Sequence, residues 1–264
     1  MNDVLTELAS SALERVESGY YEINCRVRDQ NASQSFVSAI RNCDSRAIVA
    51  EIKPGSPTAG KLFGGKFSPS EAGRTYLKGG AAGLSVLTDP DHFYGSLSYL
   101  AEVSELDTPV LMKDFVLHRL QLKAAKALGA DAVLLIYRLF DRGCARLNLP
   151  EAIDYAHELS LEVLLEVNGG SEYKSALNTQ SEMIGINNRD LRTLEVDLKA
   201  TDRILGEFEK DRLIWSMSGI SEEEEVEYLK QAGADAFLVG TSLARAGRPE
   251  ALLRSLCGGG HAKS

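Results

Sequence analysis

Cysteine, histidine and tryptophan are scarce in this chain: four, four and one in 264 residues. The cysteines, Cys25, Cys43, Cys144 and Cys257, stand far apart and form no CxxC pair. That spacing argues against a zinc ribbon and a disulfide framework, and it fits reduced thiols in a cytoplasm. His92, His118, His157 and His261 follow no metal-ligand spacing and read as surface or loop residues, while Trp215 reads as core. No apolar run approaches the roughly 20 residues of a membrane helix. The amphipathic start MNDVLTELASSALERVESG carries acids and is unlike a signal peptide. Positive charge is in deficit, with 29 Lys and Arg against 38 Asp and Glu, net −9. That balance disfavours a broad nucleic-acid surface but leaves room for a local positive pocket that binds an anionic metabolite. The expectation is a soluble, cytoplasmic protein with no nucleic-acid or membrane partner.

What the chain does have is alternation. Eight short apolar runs, at 46–51, 83–87, 109–112, 132–136, 161–166, 182–186, 213–216 and 236–239, read as strands. Between them lie helix-spaced segments such as 119–128 and 222–232. Such alternation calls for parallel strands with crossover helices. No GxGxxG follows the first strand, and polar residues follow nearly every strand instead of one switch point. An open doubly wound sheet is therefore disfavoured, and the fold class predicted is α/β, a (βα)8 TIM barrel. Three related stretches, Gly80-Ala81-Ala82, Gly129-Ala130-Asp131-Ala132 and Gly233-Ala234-Asp235-Ala236, each put glycine at a helix end before a strand. They argue for the fold and not for function.

Residues 1–45 stand outside the pattern as an N-terminal helical extension. Two helices, at 3–18 and 34–42, are joined by a polar stretch with Arg26, Arg28 and Asp29. They read as a cap over one barrel mouth, with some character of a lid that touches substrate. The barrel spans 46–256 and a short tail 257–264, all in one domain. A closed barrel leaves no strand edge to cover, so a monomer or weak homo-oligomer is expected.

In a barrel of this kind the active site forms where strands end and βα loops begin. Those positions hold Glu51 and Lys53, Thr88-Asp89, Lys113-Asp114, Tyr137-Arg138, Glu166 and Asn168, then Asn187-Asn188-Arg189, Met217-Ser218-Gly219 and Gly240-Thr241. Glu51 and Lys53, two apart on an extended segment, point to the same side. With Lys113 and Glu166 they give two ammonium groups and two carboxylates around one cavity, a set suited to acid–base chemistry. Any single lysine could be a strand-end residue reaching for water; a whole rim of charges is harder to explain that way. Ser218-Gly219 and Gly240-Thr241-Ser242 follow the seventh and eighth strands, where such barrels commonly hold phosphate. Ser56 of the first loop could reach the same oxygens. Phe115 and Leu134 could line an aromatic pocket, with core packing equally open for Leu134.

The segments AIVAEIKPGSP, LSVLTDPDHFYGSL, PVLMKDF, GADAVLLI, LEVLLEVN, IGINNRDLRTLEVDL, SGIS and GADAFLVGTSL resemble, in order, those of indole-3-glycerol phosphate synthases. The resemblance covers about residues 45–256, and VLMKDF and IGINNRDLRTLEVDL are its specific parts. It implies a phosphorylated anthranilate–ribulose substrate, 1-(2-carboxyphenylamino)-1-deoxyribulose 5-phosphate. This is closed to indole-3-glycerol phosphate with loss of carbon dioxide and water, in tryptophan biosynthesis, with no metal or organic cofactor. By matching motifs, Lys113 would be the general acid at the ketone, assisted by Glu166 and Lys53. Glu51 would transfer protons during dehydration, and Asn187 with Arg189 would orient substrate beside Asn168. Ser56, Ser218, Gly219, Gly240 and Thr241 would hold phosphate, and Phe115 and Leu134 would face the ring.

One departure stands out. The family usually reads S-E-S-G-I after the seventh strand, and here Met217 occupies the Glu position. Methionine can neither carry a proton nor pair with a lysine. If the absent carboxylate balances Lys53, that lysine loses a partner, and the alternative is a slow or inactive paralog that binds phosphorylated ligand or acts as a regulatory subunit. A phosphoribosyl isomerase-like barrel is a third reading, against which the KDF and INNRD segments count.

Overall fold

The computed structural model describes residues 4–23, 34–56, 60–62, 67–190 and 193–259. Cys25, Arg26, Arg28, Asp29 and His261 lie outside the described residues. Eight strands close into a barrel: β1 (Ala47–Ile52), β2 (Gly83–Leu87), β3 (Val110–Lys113), β4 (Ala132–Ile136), β5 (Glu162–Val167), β6 (Met183–Asn187), β7 (Leu213–Met217) and β8 (Ala236–Val239). Every pairing is parallel and joins sequence neighbours, and β8 closes on β1 with Ala47 opposite Ala236. Helices return the chain between strands. Among the described residues no helix is long and apolar enough to cross a membrane.

Several strands run one residue beyond the apolar stretch that predicts them. Leu87 pairs with Lys113, Val167 with Ile186, and Asn187 with Met217. The ladder is built from backbone groups, so a polar side chain at the rim does not end it.

Strand alternation sorts the side chains. Ile48, Ala50 and Ile52 pack outward with the helices, whereas Ala47, Val49, Leu111, Leu134, Leu164, Trp215 and Leu238 form the barrel interior. Continuing the two-residue period upward, the last inward positions are Glu51, Leu87, Lys113, Ile136, Glu166, Asn187, Met217 and Gly240. The charged residues thus share a rim because the period and the register place them there.

At the opposite mouth the repeat aspartates close strand starts. Asp131 accepts from the Val110 N–H at 3.0 Å and Asp235 from the Ile214 N–H at 2.9 Å. Each satisfies a backbone donor at the start of the preceding strand. Gly129 and Gly233, with φ of +84° and +110°, make the left-handed turns that precede them.

The two N-terminal helices serve different mouths. Helix α2 (Phe36–Arg41) seals the mouth where strands begin: Glu162, the first residue of β5, accepts from the Ser35 hydroxyl at 2.5 Å and the Phe36 N–H at 2.8 Å. Phe36 is fully buried beneath Gly83, where a Cβ would come within 2.4 Å of the ring, and it meets Trp215 at 5.3 Å between centroids. Helix α1 (Val4–Glu17) lies at the other mouth, with Leu5 and Leu8 turned toward the strand ends.

Candidate active site

Glu51 is the buried centre of the rim. Its Oε1 lies 3.2 Å from Lys53 Nζ and its Oε2 2.8 Å from Lys113 Nζ. The Lys113 contact is an ion pair and not an aligned hydrogen bond. Burial pushes the Glu51 carboxyl up, but Lys113 and then Lys53 outweigh it and hold it at about 2. For Lys113, burial opposes the charged form, and the attraction of Glu51 and Glu166 overcomes it, so the ammonium is held above its ordinary value. A Cβ on Gly240 would sit 2.4 Å from Glu51 Oε1. That glycine, read from sequence as a phosphate approach, is therefore also what admits the carboxylate.

Glu166 occupies the same rim on β5. Burial raises its pKa, against the pull of Lys113 and a 2.8 Å hydrogen bond donated by Asn187 Nδ2. Asn187 Oδ1 accepts from the Arg189 N–H at 3.0 Å, which fixes the amide orientation. Asn168 donates to the carbonyls of Arg189 at 2.9 Å and Asn187 at 3.3 Å. It is braced in turn by Glu172, which accepts from the Asn168 N–H at 2.9 Å and pairs with Arg138 at 2.6 Å. Asn168 thus acts on the backbone behind the site.

These residues surround a cavity of about 430 Å³. Lys53, Ser56, Lys113, Glu166, Asn187, Arg189, Ser218 and Thr241 supply its polar walls, and Phe115 and Leu134 contribute to its apolar side. Glu51, Asn168, Gly219 and Gly240 stand behind that lining. Gly219 has φ +87°, and a Cβ there would meet Val196 Cγ1 at 2.2 Å, so the loop after β6 packs directly on it. Ser218 is also left-handed, at φ +72°. Ser242 donates to the Ile220 carbonyl at 2.8 Å and fastens the two glycine loops together.

The first helix is the expected cap at this mouth, but the residues through which it touches the cavity and is fastened are not among the expected site residues. Val4, Leu5 and Leu8 line the cavity beside Phe93, whose ring lies 6.1 Å from that of Phe115. Arg15 pins α1 in place through ion pairs with Asp89 at 2.9 Å, Asp91 at 2.6 Å and Asp114 at 3.5 Å. Asp114 also accepts from Tyr21 at 2.9 Å and Thr88 at 2.6 Å, and burial raises its pKa. Asp89, Asp91 and His92 cluster closely enough to suggest a metal site. The Arg15 guanidinium pairs with both aspartates and already supplies the positive charge there.

Met217 shares the rim but not the cavity lining. It is buried at 1% exposure and folds over Gly185, where a Cβ would lie 2.7 Å from Met217 Cε. Its side chain fills the interior beside Leu164. Lys53 keeps a carboxylate partner all the same, in Glu51.

A family model described as indole-3-glycerol phosphate synthase matches residues 5–256 of the chain. The indole-3-glycerol phosphate synthase of Burkholderia multivorans is 37% identical over 257 residues, covering 94% of this chain and 97% of the relative. The Aquifex aeolicus protein of the same name is 39% identical over 236 residues, covering 88% and 89%. Among solved structures, the chain is similar in fold to thiamine phosphate pyrophosphorylase from Pyrococcus furiosus. That match has a TM-score of 0.56 at 16% identity, over 81% of this chain and 94% of the other.

Proposed function

The chain belongs to the indole-3-glycerol phosphate synthase family, and we propose which residues carry each step of that family's reaction. The enzyme is a carboxy-lyase that closes 1-(2-carboxyphenylamino)-1-deoxyribulose 5-phosphate to indole-3-glycerol phosphate with loss of carbon dioxide and water.

Ring closure joins an aromatic carbon to the ketone carbon, so the ketone oxygen must gain a proton as the bond forms. Lys113 gives that proton. Its ammonium stays charged in a partly buried position because Glu51 and Glu166 face it. Decarboxylation then restores aromaticity, which requires the substrate carboxylate to be held without being over-stabilised. Lys53 suits that need, since Glu51 already shares its charge. Dehydration breaks the carbon–oxygen bond as Lys53 protonates the departing hydroxyl, and the adjacent ring CH2 gives up a proton to Glu51, which relays it between the two lysines. Glu166, whose pKa burial raises, assists as a carboxyl that takes up a proton more readily than a solvated one.

Asn187 and Arg189 orient the substrate, with Asn168 bracing both. Phe115 and Leu134, with Leu5 and Leu8 of α1, face the aromatic ring. Ser56, Ser218 and Thr241 give hydroxyl and backbone donors to the phosphate, and Gly219 and Gly240 shape the loops around it. The reading extends to a cytoplasmic enzyme that works as a monomer or weak homo-oligomer, supported by free Cys43, Cys144 and Cys257 and by the closed barrel.

The carrying observation is the double pairing of Glu51 with Lys53 and Lys113 beside one polar and apolar cavity. Purified protein mixed with the ribulotide and a chelator should develop indole fluorescence. Tight substrate binding with no fluorescence would instead mark a protein that binds without turning over.

A further inference from the structure

Four cations among the described residues line the cavity: Lys53, Lys113, Arg189 and Arg245. Three are engaged. Both lysines lie on Glu51, and the Arg189 guanidinium donates to the Leu194 carbonyl at 2.6 Å. Arg245 is exposed and has no hydrogen bond or ion pair among the described residues. The cavity acids do not answer it either. Asp89 and Asp114 pair with Arg15, and Glu166 accepts from Asn187.

Its position is set by helix geometry. Arg245 closes the helix Thr241–Arg245, four residues after Thr241, so the two share a face. A long helical side chain leans back toward the N-terminus, which carries the guanidinium over Thr241. Ser242 is on a different face and is turned to the Ile220 carbonyl. Thr241, Ser218 and Arg245 all line the cavity, with Arg245 one helical turn beyond Thr241.

A phosphate ester carries about −1.5 to −2 charges at neutral pH. Hydroxyl and backbone donors give it hydrogen bonds but no counter-charge, and both lysines are tied to Glu51. A guanidinium fits phosphate oxygens through two parallel N–H bonds. We propose that Arg245 is a specificity-determining residue that binds the substrate phosphate and sets the preference for phosphorylated over dephosphorylated ribulotide. This rests on the phosphate assignment to Ser218 and Thr241 given above.

The test compares the full-length chain with Arg245→Ala, Arg245→Lys and Thr241→Val. It measures kcat and KM for the ribulotide 5-phosphate and its dephosphorylated form, and inorganic phosphate affinity by calorimetry. Arg245→Ala should raise KM for the phosphorylated substrate roughly 10- to 100-fold, the range for a hydrogen bond to a charged group, with kcat little changed. Phosphate Kd should rise and the substrate preference should shrink by a similar factor, and Arg245→Lys should recover part of each. Phosphate binding that weakens in Thr241→Val but stays intact in Arg245→Ala overturns the role of Arg245 alone. Equal losses on both substrates do the same. A wild-type protein that neither binds phosphate nor discriminates between the substrates overturns the phosphate assignment as well.

Discussion

Glu51 sets one carboxylate oxygen 3.2 Å from the Lys53 ammonium and the other 2.8 Å from that of Lys113. One anion thus organises two cations, and the group left over is a net positive charge beside an apolar wall. On the proposed reading, the substrate carboxylate supplies the missing negative charge. The sharing also explains how the site keeps Lys53 paired although Met217 replaces the family's usual acid.

Replacing Glu51 by Gln should lower turnover on the order of 10²–10⁴-fold, the range for an acid–base group. Burial would then act on Lys113 with only Glu166 opposing it, so the lysine pKa falls and the alkaline limb of the kcat profile moves to lower pH. Stability should respond too. Glu51 sits at about 2 in the folded protein, below the ordinary 4.5, so its contribution is complete above about 4.5 and lost as pH falls toward 2. Glu51→Gln should be less stable than wild type at pH 7 but lose less on acidification across that window. Thermal melts at both ends of the window and a pH–rate profile check these signs.

Arg15→Met should loosen the first helix. It leaves Asp89 and Asp114 buried without their cation, a change that costs about 3–5 kcal/mol when a buried pair is broken. For a chain of this size the melting temperature should fall by roughly 10 °C. Amide exchange in Val4–Glu17 should quicken more than in the barrel strands. An unchanged melt would mean that the clasp carries no weight.

Met217→Glu tests whether the apolar residue at the rim handicaps the enzyme. Lys53 already has Glu51, and the Met217 side chain lies over Gly185, outside the cavity lining. Turnover should therefore change by less than about tenfold, well short of what an absent acid–base group accounts for. A gain of about 10²–10⁴-fold would show that the site is missing a working carboxylate.

The barrel was readable because apolar runs and left-handed glycines repeat along the chain, and because alternate strand residues must face one way. The rim of Glu51, Lys113, Glu166 and Asn187 followed from where those runs stopped. Other features leave no local trace. Arg15 meets Asp89 and Asp114 across separate elements, and no spacing rule joins residues so far apart in sequence. Leu5 and Leu8 read only as one face of an amphipathic helix, and which mouth it covers depends on that clasp. That Gly240 makes room for Glu51 also needs coordinates, since only the approach of the carboxylate reveals what a side chain there would displace.

The most direct test of the account is Lys113→Ala, with turnover and ribulotide affinity measured on the same preparation. Loss of turnover by about 10²–10⁴-fold or more with Kd held within about tenfold is the expected result. Affinity falling in step with turnover would make Lys113 a binding or structural residue, and turnover that persists would remove it from the chemistry.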